Sequence, residues 1–399
     1  MRRLAAFTFL ALLISVIASH DLLAQDLTIT NARIIAGTGE IINQGSVVVR
    51  NGRITSVSSG GTNGQGARTI DARGMTLMAG FIDAHRHIIN GNEDQWLRDQ
   101  SARRMQEFLE AGYTTLMSGG GPVPGIVELK QRIEAGTLKG PRIITSGRAD
   151  PANFKTPEAA RAQVAKLAEA GVEMIKAAIN PAPTPQELDV LAAVTDEARK
   201  HGIKTMVHAV SVPAMLAAVK AGADKLVHTP HGSWLSEADA RVVRDAGIPM
   251  LSTIGFGVPV FGVFNQNNAP TFRDGKAWPE GIIDGKGRGR EAGEKAVNGR
   301  TLWDAGVSYG FGTDTGYLPL AGLAHELRAL NLMFSPQDIV KLMGPNTASY
   351  IEMSNQLGTL ETGKLADIVL LGGNPLDGYW NLLTTKLVIK GGAIVSDQR

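Results

Sequence analysis

Between residues 79 and 350, short apolar runs alternate with alanine-rich stretches whose apolar positions recur at helical spacing, the pattern of strands feeding helices around a parallel sheet. Eight such runs can be read, at 81–87, 114–117, 142–145, 174–179, 204–208, 225–228, 249–252 and 308–311. Helices fit between them, for instance at 157–170 and 185–201, each followed by a glycine of the kind that closes helix C-termini. Eight βα units predict closure into a TIM (β/α)8 barrel with residues 79–350. The stretch 255–289 breaks the pattern. It is rich in Gly, Pro and Asn and lacks helical period, as loops with a function or without order do.

The two ends of the chain read differently. Residues 26–76 alternate apolar and polar positions in short strands with glycine-rich turns, and 368–371 and 387–394 do the same around Gly372-Gly373-Asn374-Pro375. Nothing helical is expected after Asp367. The ends, 25–78 and 351–399, are therefore predicted to pair into one small discontinuous β-sandwich domain with the barrel inserted between its halves. Ahead of them, Arg2 and Arg3 lead an apolar run that ends in small residues near Ala24, which reads as a signal peptide over 1–24 and an exported, periplasmic protein. A membrane anchor is the alternative, although the run is shorter than the ~20 residues a spanning helix needs.

Composition narrows the chemistry. Forty basic against 38 acidic residues, without a long basic run, offer no electrostatic footprint for nucleic acid. The chain has no cysteine, so disulfides, thiolate metal sites and lipidated cysteines are excluded, and any metal must be held by nitrogen and oxygen.

In parallel barrels the catalytic groups sit at the C-terminal ends of the strands. The first predicted strand ends in Asp83-Ala84-His85-Arg86-His87, where alternation sends His85 and His87 one way and Arg86 the other. Alone, that pair reads equally as two buried, hydrogen-bonded histidines. The fourth strand, however, ends at Lys176, the fifth at His208, the sixth at His228 and the eighth at Asp314. Only eight histidines occur in the chain, and four lie on these ends, whereas His201 and His325 fall in helical stretches. Lys176 stands among Met174, Ile175, Ala177 and Ala178, neighbours that lower an ammonium pKa. As a neutral amine it could add carbon dioxide and become a carbamate, an oxygen ligand able to bridge two cations. The alternative is a lysine reaching solvent or pairing with a carboxylate.

Taken together, "GMTLMAGFIDAHRHI", "GVEMIKAAI", "TMVHAV", "DKLVHTPHG", "GFGTDTG" and "NTASYIEMSNQLGTLETGKLADIVLL" resemble the amidohydrolase superfamily, in its imidazolonepropionase-like and metal-dependent dipeptidase-like branch. The resemblance implies two divalent metal ions, zinc by default with manganese, nickel or cobalt possible from the donor types. His85, His87 and Asp314 would bind the more buried ion, His208 and His228 the more exposed one, with carboxylated Lys176 between. It also implies hydrolysis of an amide C–N bond in a dipeptide, N-acyl amino acid or similar small molecule. The metals would activate a bridging water, and Asp314 would act as general acid/base.

Several readings stay open. The same site would attack a lactone, carbamate or organophosphate ester, and a single-metal deaminase would have no use for Lys176. His231 either binds substrate or caps the following helix. Arg86, unusual between two such histidines, either meets a substrate carboxylate or forms a structural ion pair. Phe256, Phe261, Phe264, Asn265 and Trp278 would give the 255–289 loop an apolar wall if it covers the site. The second strand ends in "TTLMSGGG" where relatives often carry an acid. A small-molecule substrate is the expected partner, with no membrane contact once the leader is removed and a homo-oligomer possible.

Overall fold

A computed structural model of the chain describes residues 25–61, 67–255, 288–316 and 318–399. The leader expected over 1–24 and nearly all of the 255–289 stretch lie outside the described residues. Five strands come first: β1 (Leu27–Ile35), β2 (Ile41–Arg50), β3 (Arg53–Ser59), β4 (Arg68–Asp71) and β5 (Thr76–Ala79). There follow β6 (Phe81–Arg86), β7 (Tyr113–Ser118), β8 (Arg142–Ile144), β9 (Ser146–Arg148), β10 (Met174–Ala178), β11 (Lys204–His208), β12 (Lys225–Val227), β13 (Met250–Leu251) and β14 (Tyr309–Gly310). The chain closes with β15 (Ile368–Leu371), β16 (Thr385–Lys390) and β17 (Ala393–Asp397).

The ends of the chain share one eight-stranded sheet, in the order β17-β16-β15-β5-β1-β2-β3 with β4 on β1. The join is the antiparallel pair of β5 and β15, which sets Leu77 opposite Leu370. Alternation gives the sheet two uses. Leu27, Ile29, Val47, Val49, Ile368, Leu370, Leu387 and Ile389 face each other in a small core of their own. Val369, Leu371 and Val388, one step out of phase, belong to the main core of the molecule. At roughly 1.5–3 kcal/mol for each buried Leu, Ile or Val side chain, burial on both faces ties the sheet to the rest of the chain. Two details depart from the sequence reading. The run 387–394 is a hairpin, because Gly391 and Gly392 (φ 54° and 81°) supply the positive φ values that a two-residue turn demands. A short 3-10 helix, Tyr379–Leu383, buries Tyr379 and Leu382 in the region expected to lack helix.

The middle of the chain gives two parallel sheets, β14-β13-β12-β11-β10-β9 and β6-β7-β8. All eight expected strands are present, each within a few residues of its predicted bounds. The third is split at Thr145 into β8 and β9, so one run of chain pairs with β7 on one side and β10 on the other. At the other margin the Ala84 N–H donates to the Phe311 carbonyl (3.2 Å) and the Asp314 N–H to the His85 carbonyl (2.8 Å). Ile82 and Ala84 (β6), Met117 (β7), Ile144 (β8), Met174 (β10), Met206 (β11), Val227 (β12) and Leu251 (β13) meet in one buried cluster closed by Tyr350 and Leu357. The helices Pro157–Glu169 and Pro185–Lys200 fall where predicted, each with Pro at its first position and a Thr side chain capping its N-terminus. Among the described residues no helix is long and apolar enough to cross a membrane.

Candidate active site

The strand ends deliver their side chains to one place by three different local devices. Lys176 and His208 get there by plain alternation, two residues after Met174 and Met206 of the inner cluster. His85 does not, since Ile82 and Ala84 already occupy the inner face. A register shift against β7 between Asp83 and Arg86 resets the phase, so that His85 and His87 turn to the site and Arg86 turns away. His228 follows Val227 of the inner cluster and would point outward but for its left-handed backbone (φ 77°). Asp314 (φ 54°) and Thr253 (φ 41°) share that conformation, which side-chain-bearing residues adopt at a cost of order 1–3 kcal/mol and which clusters at functional sites.

The result is a compact set of donors. Asp314 Oδ1 lies 3.2 Å from His85 Nε2 and 3.0 Å from His87 Nε2, while its Oδ2 lies 3.6 Å from His228 Nδ1. One donor atom each from His85, His228 and Asp314 fall within 4.8 Å of one another. Lys176 Nζ is 3.3 Å from His85 Nε2. The rings of His208 and His228 are 4.3 Å apart, and those of His85 and His228 5.2 Å. All six predicted ligands are thus together, with His208 linked to the others through His228.

Burial sets the protonation of this set. It pushes the His85 and His208 imidazoles down to about 3 and His228 well below its ordinary value, with the nearby Lys176 adding to each. It also lowers the Lys176 ammonium to about 7, where Asp314 opposes the shift and Arg148 adds to it. Burial alone would raise the Asp314 carboxyl, but His228 and the hydrogen bonds from His85 and His87 outweigh it and hold it well below the usual carboxylate range. Neutral imidazoles at His85, His208 and His228 beside an ionised carboxylate and a half-neutral amine are the donor state that divalent cations require, so these residues fit a metal centre.

Supporting contacts fix the donors. Asp83 accepts from the backbone N–H groups of His85 (3.1 Å) and Thr313 (3.0 Å) and from the Thr313 hydroxyl (2.7 Å), which locks the first and last strands together under the site. Thr253 Oγ1 meets His228 Nδ1 at 2.8 Å, which fixes the orientation of that ring. The glycines after β7 have a steric reason, since a Cβ on Gly119 would come within 3.1 Å of the His85 ring and 3.3 Å of the His87 ring. An acidic side chain there would crowd both imidazoles.

Arg86 resolves to the structural alternative. It is fully buried over the Phe108 ring (4.9 Å), bonds Thr313 Oγ1 (3.0 Å) and Thr315 Oγ1, and lies 3.9 Å from Asp83 Oδ2. Truncation to Ala would leave the Asp83 carboxylate buried beside a void, so Arg86→Ala is expected to lose about 3–5 kcal/mol of unfolding free energy in a denaturant titration. His231 does not cap a helix. Ser236 caps the helix that follows, and His231 Nε2 lies 3.7 Å from Glu291 of the helix Arg288–Asp304. His201 pairs on its own helix with Glu197 at 3.5 Å.

Two contributors carried no sequence signal of their own. Thr253 follows a predicted strand but is of no ligand type. Glu326, in the helix Pro319–Leu330, looks like any helical glutamate. It is fully buried and accepts from the Ile254 (2.9 Å) and Gly255 (2.6 Å) N–H groups, so it secures the backbone just past Thr253. Burial raises its carboxyl to about 7 against the hydrogen bonds that lower it. Folded Glu326 therefore keeps its proton to a higher pH than the unfolded chain, and its contribution is present below about pH 4.5 and lost as pH rises through 7. In unfolding titrations at several pH values, Glu326→Gln is expected to flatten this part of the stability profile. An unchanged slope would remove Glu326 from it.

Residues 76–395 match the amidohydrolase family. Solved structures of similar fold include a candidate prolidase from Bifidobacterium longum, 26% identical with a TM-score of 0.75 over 93% of this chain and 95% of that one. A Xaa-Pro dipeptidase with methionine bound in its active site is 22% identical with a TM-score of 0.75, over 92% of this chain and 99% of that one. Molinate hydrolase is 18% identical with a TM-score of 0.72, over 93% and 95%.

Proposed function

Since the chain belongs to the amidohydrolase family, we propose that it is a binuclear metal-dependent enzyme that hydrolyses the amide C–N bond of a dipeptide, N-acyl amino acid or similar small molecule, after export from the cytoplasm. The observation that carries this reading is the meeting of His85, His228 and Asp314 donors within 4.8 Å with Lys176 Nζ against His85. In the same reading the two parallel sheets are one eight-stranded TIM barrel, with the break at Thr145 and the Ala84–Phe311 hydrogen bond as its two seams. Two solved structures of similar fold, a Xaa-Pro dipeptidase and a prolidase complexed with N-methylphosphonate-L-proline, support a dipeptide-like substrate.

His85, His87 and Asp314 would hold one cation and His208 and His228 the other, with carboxylated Lys176 between; zinc suits these donors by default. Such cations supply Lewis acidity and a nucleophilic water at neutral pH. The protein's own residues do the rest. Asp314, ionised and aimed by three imidazoles, receives the proton of the attacking water and returns it to the leaving nitrogen, so that the amine departs neutral. Thr253 and Asp83 hold the imidazole of His228 and the backbone of His85 in place while that proton moves. His231 would contact the substrate from the adjoining loop.

The test joins elemental analysis of the purified protein to a parallel screen of dipeptides, Xaa-Pro dipeptides, N-acyl amino acids, lactones, carbamates and paraoxon-type esters. Two equivalents of metal with turnover of the amides are expected. One equivalent with full activity, or turnover of esters alone, overturns the reading.

A further inference from the structure

We propose that Arg148 is a specificity-determining residue that grips an anionic group of the substrate, the free α-carboxylate carried by the amine product of the cleaved amide. The inference rests on the amide-hydrolase reading and states which amides the enzyme prefers.

Arg148 is in register with Lys176 across the parallel pair of β9 and β10. Neighbouring strands lie ~4.8 Å apart, so the two side chains rise from adjacent points at the mouth of the site. Their stems flank the same glycine, for a Cβ built on Gly120 would stand 2.6 Å from Arg148 Cγ and 3.1 Å from Lys176 Cγ. The charge reaches the ligand set as well. After burial, Arg148 is among the groups that depress both Lys176 and His208.

The guanidinium is held but not used up. Nε and Nη2 both point at a single oxygen, Asp150 Oδ2, at 2.9 and 2.8 Å. Nη1 and the outer N–H of Nη2, the terminal edge of the fork, have no partner among the described residues, and the side chain is 44% exposed. Asp150 Oδ1 is buried without a hydrogen bond. The geometry is that of an arginine steered by an aspartate so that its two parallel N–H groups face outward, which matches a planar carboxylate in bidentate fashion. Because Asp150 already fixes the fork, little rotamer entropy remains to be lost on binding.

The experiment compares matched substrates that differ only in this group, N-acetyl amino acids against their amides and dipeptides against dipeptide amides, in the metal-loaded full chain. The wild type is expected to favour the free acids. Arg148→Ala should raise KM for the acids by about 10- to 100-fold, as loss of a charge-assisted bidentate contact would, and bring the acid-to-amide ratio of kcat/KM close to one. Arg148→Lys, which keeps the charge but loses the fork, should retain part of the preference, and metal content should stay at the wild-type level in both. Equal losses on acids and amides in either variant, or no preference in the wild type, overturn the proposal. Should the wild type cleave no amide, the amide reading fails by itself. Calorimetric titration with N-acetyl amino acids and their amides then decides Arg148, and equal affinities in wild type and Arg148→Lys reject it.

Discussion

Asp314→Asn is expected to lower kcat by about 10³-fold on every substrate the enzyme accepts, within the range of roughly 10²–10⁴ assigned to a positioned acid/base. Asparagine keeps the size and one of the two oxygens, so the loss isolates the proton-carrying role from packing. The effect should be large because, among the described residues, Asp314 is the one carboxylate that touches His85, His87 and His228 together. Its backbone is left-handed (φ 54°), and its N–H donates to the His85 carbonyl at 2.8 Å. Steady-state kinetics combined with metal analysis check the claim. If turnover is unchanged at wild-type metal content, the proton is carried elsewhere.

Lys176→Ala should abolish activity and lose metal, with partial rescue by formate, acetate or propionate. The ammonium of an ordinary lysine is neutral in only about one molecule in 10³ at pH 7, whereas burial brings the Lys176 amine down to about 7, where half of it is free to add carbon dioxide. The addition forms one N–C bond and releases one proton, so reconstitution of the metal-free protein with zinc at a fixed concentration of dissolved carbon dioxide should speed up as pH rises from 6 to 8. Linkage runs the same way. A lysine whose folded pKa lies below its unfolded one costs stability below about pH 7, and the cost fades as pH rises towards 10.5. Wild-type metal stoichiometry in Lys176→Ala would remove the bridge from the account.

Much of this site was legible in the sequence because its ligands sit where strands end, and strand ends are marked by the switch from apolar alternation to glycine-rich or polar turns. Lys176 and His208 needed nothing beyond period-two counting. His85 and His87 were read as sharing a face correctly, but which face depended on a register shift against β7 that no local pattern encodes. His228 and Asp314 depend on left-handed backbone, which a sequence announces at glycines and conceals at histidine and aspartate. Contacts made at long range were invisible for a plainer reason. Glu326 and Arg148 acquire their roles from residues distant in the chain or across a strand pair, and nothing in their own neighbourhoods sets them apart. The split of 387–394 at Gly391-Gly392 was open to view, since paired glycines inside an apolar run signal a hairpin.

The pairing of β5 with β15 has a bearing on how this protein comes into being. A ribosome releases Ala79 long before Ile368, and until the last strands emerge one edge of β5 has no mate and the hydrophobic side chains of Leu27, Ile29, Ile34 and Leu77 lack part of their cover. Contacts so far apart in sequence form slowly, because a long loop must close before they reward the chain. Biogenesis is thereby made nearly all-or-none. Fragments stopped short of β15 would expose an unguarded strand margin, and the chain would stay threadable until its final segment is made.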